Sequence, residues 1–270
     1  MVQYDLAWRG LEAEGIATMA HMRSALTTGS TRDLAPTYCF LRELPPEARQ
    51  LVAETTRVRM IPRHKLVARQ GEPVVGLNCL LRGILRCWQT DVDGNDYTVE
   101  TAWSDSVSIV ALGGPDAEWP WNVTTIVPAT VATMNWDCLK ALRRRYPLDE
   151  VLMQYAAADY SRRHVWHGLL RSVRLRPRLR MVLRRISDEM GTATDQGIRI
   201  RFPLTHSDLA SLTFVTRDEV GRAIRELVTA GLVKPIGRRG FLIPDLDRLH
   251  PPIDLDEARA TSAIEVGDRS

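Results

Sequence analysis

Apolar positions change their spacing several times along the chain, and each change predicts a different kind of element. From Tyr4 to about Leu26 they recur at helical intervals before Thr27-Thr28-Gly29-Ser30-Thr31 breaks the pattern, which predicts an N-terminal helical extension over residues 1–35 and a linker. After a helical Pro46–Thr55 the runs shorten. Arg57–Ile61, Leu66–Ala68, Leu77–Gln89 around Gly83, Tyr97–Trp103, Val123–Val127 and Thr130–Trp136 read as short strands, with a turn at Gly71-Glu72-Pro73. Asp91-Val92-Asp93-Gly94-Asn95-Asp96 is a hairpin turn, because Asp-Gly and Gly-Asn supply the positive φ angles such turns need. Short strands at this spacing predict an antiparallel roll or barrel within a domain over residues 36–145.

Past Trp136 the spacing is helical again. Leu148, Val151, Leu152, Tyr155, Ala158, Val165, Trp166, Leu169 and Leu170 recur at three- and four-residue steps, which predicts a long amphipathic helix within residues 146–172. At 1.5 Å per residue such a helix spans roughly 36 Å, more than one small domain covers, so a second copy of the chain is expected along it. Leu148, Val151, Leu152, Tyr155, Val165 and Leu169 are the expected contacts of that homodimer. Pro177 is expected to break the run, with Arg178–Glu189 as a new helix.

Residues 173–250 carry the most specific pattern. Thr205 with Asp208 three residues on is a helix-start signal, although a full capping box carries Glu or Gln at that place. A turn at Thr213-Phe214-Val215 leads to Thr216, the expected cap of a second helix over Arg217–Ala230, whose Val220, Ala223, Ile224 and Leu227 share one face. Two short helices joined by a tight turn, the second led by polar and basic residues, form a helix-turn-helix. Val233–Ile243 around Gly237-Arg238-Arg239-Gly240 reads as two strands, hence a wing, and residues 251–270 as a tail.

Charge sharpens this picture. Residues 161–250 hold 18 Arg and Lys against 9 Asp and Glu, while the other 180 residues hold 18 against 24, so the basic part is expected to meet a polyanion, here double-stranded DNA. Arg outnumbers Lys 33 to 3, so the segregation of charge, not the abundance of Arg, carries that expectation. The arginines at 162, 163, 171, 174, 176, 178, 180, 184 and 185 follow one another with no acid between them. No apolar run approaches about eighteen residues and no signal peptide opens the chain, which predicts a cytoplasmic protein without membrane contact. Cys39, Cys79, Cys87 and Cys138 contain no CxxC pair and read as buried reduced thiols. No Ser/His/Asp set, cupin-type His-x-His with Glu, or Gly-rich phosphate loop points to an enzyme.

The chain resembles the cyclic AMP receptor protein/FNR (Crp/Fnr) superfamily of bacterial transcription regulators over about residues 38–250. In the first domain the resemblance rests on Phe40-Leu41-x-x-Leu44-Pro45, Val67-x-Arg69-Gln70-Gly71-Glu72-Pro73, Leu80-Leu81-Arg82-Gly83-Ile84-Leu85-Arg86-Cys87 and Asp93-Gly94. In the second it rests on Leu204-Thr205-x-x-Asp208-Leu209-Ala210, Thr216-Arg217-Asp218-x-Val220-x-Arg222, Leu227-x-x-x-Gly231-Leu232-Val233 and Ile243-x-Asp245-Leu246-x-x-Leu249. It implies an α+β fold with a cyclic-nucleotide-binding-like β-roll, a long dimerisation helix and a C-terminal winged helix-turn-helix. It further implies a homodimer on an inverted-repeat operator, with RNA polymerase as a further partner.

Carried over by position, the resemblance places Arg217, Asp218 and Arg222 where bases are read, and the chemistry agrees: Arg donates twice to guanine O6/N7 and a carboxylate accepts from cytosine N4. Asp218 is one methylene shorter than the Glu usual there, and Phe214 stands where a turn glycine is usual. Thr205, Ser207, Thr216 and Arg238 are the expected phosphate contacts. The family's phosphate-binding Arg-Ser pair is absent: no Arg lies between Arg86 and Arg143, and Asp105, Asp116 and Glu118 occupy the cassette, which argues against cyclic AMP. An N-terminal cysteine cluster is absent too, which argues against an iron–sulfur cluster. Trp103, Trp119 and Trp121 with Tyr155 read either as core filler or as the lining of an effector pocket, which leaves heme open. His164 and His167, three apart on the long helix without a third ligand, read as a solvated face rather than a metal site. Beside an effector-controlled regulator stand two alternatives: a constitutive DNA-binding dimer with a ligand-free sensor, and a cupin-type enzyme with an appended helix-turn-helix.

Overall fold

The computed structural model describes residues 45–237 and 240–249. The expected N-terminal helix and linker, the Phe40–Pro45 motif up to Leu44, Arg238 and the C-terminal tail lie outside the described residues. No helix among the described residues is long and apolar enough to cross a membrane.

By packing, the chain divides into two compact units. One runs up to Cys87 and resumes over Ala102–Ser161, and the other takes Trp88–Thr101 and everything from Arg162 onward. The order is α1 (Pro46–Thr55), β1 (Arg57–Ile61), β2 (Leu66–Ala68), β3 (Gly76–Arg82), β4 (Ile84–Thr90), β5 (Asp96–Trp103), β6 (Ser106–Val107), a 3-10 turn over Ile109–Gly113, β7 (Asn122–Thr125), β8 (Ala129–Asn135), α2 (Trp136–Arg143) and α3 (Leu148–Ser172). Then follow α4 (Leu175–Met190), β9 (Thr192–Thr194), β10 (Gly197–Ile200), α5 (His206–Thr213), α6 (Arg217–Thr229), β11 (Lys234–Ile236) and β12 (Gly240–Ile243), with a last 3-10 turn at Asp247–Leu249.

The roll consists of two four-stranded sheets, β1-β8-β3-β6 and β2-β7-β4-β5. Alternation along the strands feeds two cores. Leu77, Cys79 and Leu81 of β3 with Ala132 and Met134 of β8 face α1, α2 and the start of α3, while Leu80, Ala129 and Val131 face the other way, toward Val123, Leu85 and Cys87. Because both faces are buried, these strands read as continuous apolar runs. Gly83 bridges β3 and β4 at φ +117°, and a Cβ there would lie 2.7 Å from the Ala129 Cβ, so only glycine fits. The β4–β5 turn closes as expected: the Asn95 carbonyl accepts from the Asp91 amide at 2.9 Å, the Asp91 carboxylate accepts from the Asp93 and Asn95 amides, and Gly94 takes φ +84°.

Several boundaries differ from the sequence reading by a few residues, and two of them have a clear physical cause. The eighth strand ends at Asn135, not Trp136, because the Asn135 side chain accepts the Cys138 amide at 2.8 Å and caps α2. Pro177 does not break the chain: α4 starts at Leu175 with Pro177 in its first turn, where the missing N–H would have had no intrahelical partner anyway. The chain break falls at Val173-Arg174. The hairpin β9–β10, unanticipated from the sequence, joins the wing strands in the sheet β11-β12-β10-β9.

Candidate nucleic-acid interface

The basic unit is built on three helices. Leu179, Val182, Leu183 and Ile186 of α4, Leu209 and Leu212 of α5, and Val220 and Leu227 of α6 are fully buried together with Val233 and Ile243. Both helices of the helix-turn-helix start with reciprocal capping. Thr205 Oγ1 accepts the Asp208 amide at 3.1 Å while the Asp208 carboxylate accepts the Thr205 amide at 2.7 Å, so the shorter acid completes the box that the sequence left in doubt. Glu219 does the same for Thr216, accepting from its amide at 2.9 Å and its hydroxyl at 2.6 Å. The Thr216 hydroxyl and amide hold the Glu219 carboxyl below its ordinary range. Thr205 and Thr216 are thus caps, and the exposed Ser207 lies in the first turn of α5.

Val220, Ala223, Ile224 and Leu227 turn one side of α6 into the core, leaving Arg217, Asp218, Arg222 and Arg225 exposed. Among the described residues, the guanidinium groups of Arg217, Arg222 and Arg225 make no hydrogen bond or ion pair. Arg217 occupies the first helical position, where the helix dipole disfavours a cation by a few tenths of a kcal/mol or more. Arg225, which the sequence reading did not single out, lies three residues beyond Arg222 on the same exposed side, and that i+3 spacing was the available signal; Arg176 at the start of α4 lies 4.0 Å from the Glu226 carboxylate. Arg176, Arg222 and Arg225 line an open cleft of about 550 Å³ with Glu226, Thr229 and Ala230.

Five other arginines of the basic run are spent inside the unit. Arg178 donates to the carbonyls of Thr213 (2.8 Å) and Val173 (2.9 Å), and Arg180 to those of Arg248 (2.7 Å) and Leu249. Arg184 donates to the Leu246 carbonyl and pairs with Asp188, and Arg185 pairs with Glu189 while its guanidinium lies 4.7 Å from the Trp166 ring centroid. On α3, Arg163 is buried and pairs with Glu100 of β5 at 2.8 Å.

Phe214 occupies the turn of the motif in the left-handed region, φ +57° and ψ +42°, where a side chain costs about 1–2 kcal/mol relative to glycine. The His167 ring meets it edge-on, with centroids 5.4 Å apart. His167 is therefore not on a solvated face, as its spacing from His164 suggested: it is half-buried, and Thr101 contacts its Nε2. Burial, then Arg171, Arg163, Arg185 and His164, push its pKa down to about 4, so the ring is neutral at ordinary pH.

The remaining expected residues are distributed. Leu148 and Leu152 are fully buried in the roll's helix-side core, with Val151 and Tyr155 packed against it. Leu169 is half-buried, whereas Val165 is 54% exposed, as are Met153 (59%) and Tyr160 (49%) on the same helix. Trp119 touches both cores, Trp121 only the inter-sheet one, and Trp103 is fully buried. The Tyr155 hydroxyl donates to the Asp105 carbonyl at 2.6 Å, and the buried Asp159 carboxylate accepts the Val107 amide at 3.3 Å.

Comparison with known proteins finds the same fold. The family model of the Crp-like helix-turn-helix domain matches residues 177–251. The "CRP-like cAMP-activated global transcriptional regulator" of Mycobacterium tuberculosis is 23% identical over 190 residues, covering 70% of this chain and 84% of that protein. Among solved structures, FixK2 from Bradyrhizobium japonicum superposes with a TM-score of 0.58 at 17% identity, covering 72% of this chain and 96% of that one. The c-di-GMP responsive global regulator CLP of Xanthomonas campestris does so with 0.58 at 18% identity, covering 74% and 100%.

Proposed function

We propose that this chain is a homodimeric transcription regulator of the Crp/Fnr superfamily that reads an inverted-repeat operator through α6. The observation that carries this reading is the contrast on the basic unit between arginines bound internally and the exposed Arg217, Arg222 and Arg225, which make no ion pair among the described residues, on a helix whose start carries a capping box. Arg217 and Arg222 match the guanine edge, Asp218 matches cytosine N4, and Arg225 and Arg176 match phosphates. Two-fold symmetry sets the half-site centres roughly 34 Å apart.

The dimer seam is assigned to the exposed side of α3. Leu148 and Leu152 serve the subunit's own core, so the intersubunit contacts fall to Met153, Tyr160 and Val165, with exposed Ala157, Ser161 and Gly168 letting two helix backbones approach. Selection of binding sites from random DNA by the full-length protein tests the reading: a palindromic consensus is expected, and sequence-independent retention overturns it. Met153→Glu with Val165→Glu is expected to give monomers by sedimentation and to lose the palindrome.

The effector reading is a ligand other than cyclic AMP, or none. The residues present do not fit a cyclic phosphate: Ser106–Glu118 carries no cation, and the exposed Asp116 and Glu118 repel one. Trp119 and Trp121 packed into the cores favour the version without a ligand. Titration calorimetry with cyclic AMP is expected to show no binding at micromolar concentration.

A further inference from the structure

The helix-turn-helix is not self-sufficient: its turn is held from outside the motif. Phe214 follows α5 in the left-handed region, a conformation that a bulky residue keeps only where surrounding contacts over-determine it. Those contacts come from two other helices. His167 presents its ring edge-on to Phe214, with an interplanar angle of 82°, and the Arg171 guanidinium lies 5.5 Å from the Phe214 ring centroid. Arg178 fixes the preceding carbonyl, that of Thr213. The imidazole is itself fixed by β5, since Nε2 faces both the Thr101 amide at 3.4 Å and the Thr101 hydroxyl at 3.2 Å, and Thr101 is fully buried.

We infer that His167 is a positioning residue for DNA recognition: seated on Thr101, it presses on Phe214 and fixes the turn that sets the angle of α6. The inference rests on the reading of α6 as the recognition helix and adds a residue outside the motif to it. It follows from geometry. Both the Phe214 and the Val215 amides bond to the Ala210 carbonyl, so a shift of the Phe214 ring moves the bonds that start the turn, and Arg217 lies three residues on. Misplacing a side chain by about 1 Å suffices to lose a bidentate contact with a base while leaving contacts with phosphate nearly intact. The ring's tautomer agrees: a neutral imidazole that accepts at Nε2 carries its proton on Nδ1. The charged and titratable groups around it are Arg163, Arg171 and His164 of α3 and Arg185 of α4, all cationic or neutral, so no carboxylate among them draws a proton onto the ring.

The test is a double-mutant cycle on the full-length protein, with hydrogen exchange as a readout independent of DNA. His167→Ala is expected to weaken binding to the operator selected by the wild type about tenfold while changing affinity for scrambled DNA less than twofold. In a Phe214→Gly background, where the turn relaxes by itself, the same substitution is expected to change operator binding less than twofold. His167→Phe keeps a ring against Phe214 and is expected to recover most of the loss. Exchange at the Phe214 and Val215 amides should accelerate about tenfold in His167→Ala, with the melting temperature held within a few degrees. Equal losses in both backgrounds, or unchanged exchange of those amides, overturn the inference. Accelerated exchange in a protein whose wild type selects no DNA sequence upholds the clamp and refutes the regulator reading.

Discussion

Four arginines of α4 and three of α6 share one residue type, one compact unit and one sign of field, yet they end in opposite states. Arg178, Arg180, Arg184 and Arg185 of α4 close on backbone carbonyls, on carboxylates one turn away and on the Trp166 ring. Arg217, Arg222 and Arg225 of α6 reach into solvent without a partner among the described residues. A guanidinium has five donors, and where carbonyls left over at a helix end or turn lie within reach, those donors are used internally. Net charge counts both groups equally. Of these seven, only the three on α6 keep their donors open toward a polyanion, so the density of arginine in a sequence overstates the binding surface.

The comparison breaks most visibly at Arg217. Arg217→Ala is expected to cost about 1–3 kcal/mol per half-site and to erase the preference at one base position in DNA selected from random sequence. Selection of the wild-type consensus at uniformly lower affinity would instead make Arg217 a phosphate anchor. Arg178→Ala should act first on the fold, losing about 1–3 kcal/mol of folding stability through the freed Thr213 and Val173 carbonyls, which denaturant titration checks. Arg225→Ala is expected to weaken all sequences alike and to lower the slope of log affinity against log salt by about 0.9 per half-site, measured over a salt series.

A pH series sharpens the internal side of the comparison. His167 titrates near pH 4 in the fold against about 6.5 unfolded, so below pH 6.5 the unfolded chain takes up a proton that the folded one does not. Stability is then lost as pH falls from 6.5 toward 4, and His167→Gln should flatten that part of the melting profile. The smallest effect belongs to the α4 surface, where Asp188→Asn removes one i,i+4 pair with Arg184 and should shift the unfolding free energy by about 0.3–0.5 kcal/mol without touching DNA binding.

Much of this molecule is determined by local pattern. The strands from Arg57 to Asn135, the Asp91–Asp96 turn, the long helix and both caps of the helix-turn-helix follow from spacings of two or three to four residues and from side chains that bond to their own neighbouring backbone. Arg217, Asp218 and Arg222 were singled out by the family resemblance, and the capped helix leaves all three exposed. Tertiary structure alone decided what depends on neighbours distant in sequence. Leu148 and Leu152 belong to one apolar stripe with Val165, but only the folded roll covers the first two and leaves the third exposed. His167 resembled a surface residue until β5 and the Phe214 turn, 66 residues before it and 47 after it, closed on its ring. Periodicity reports the direction in which a side chain leaves its helix, whereas burial and partners depend on which other surface the fold brings against that direction.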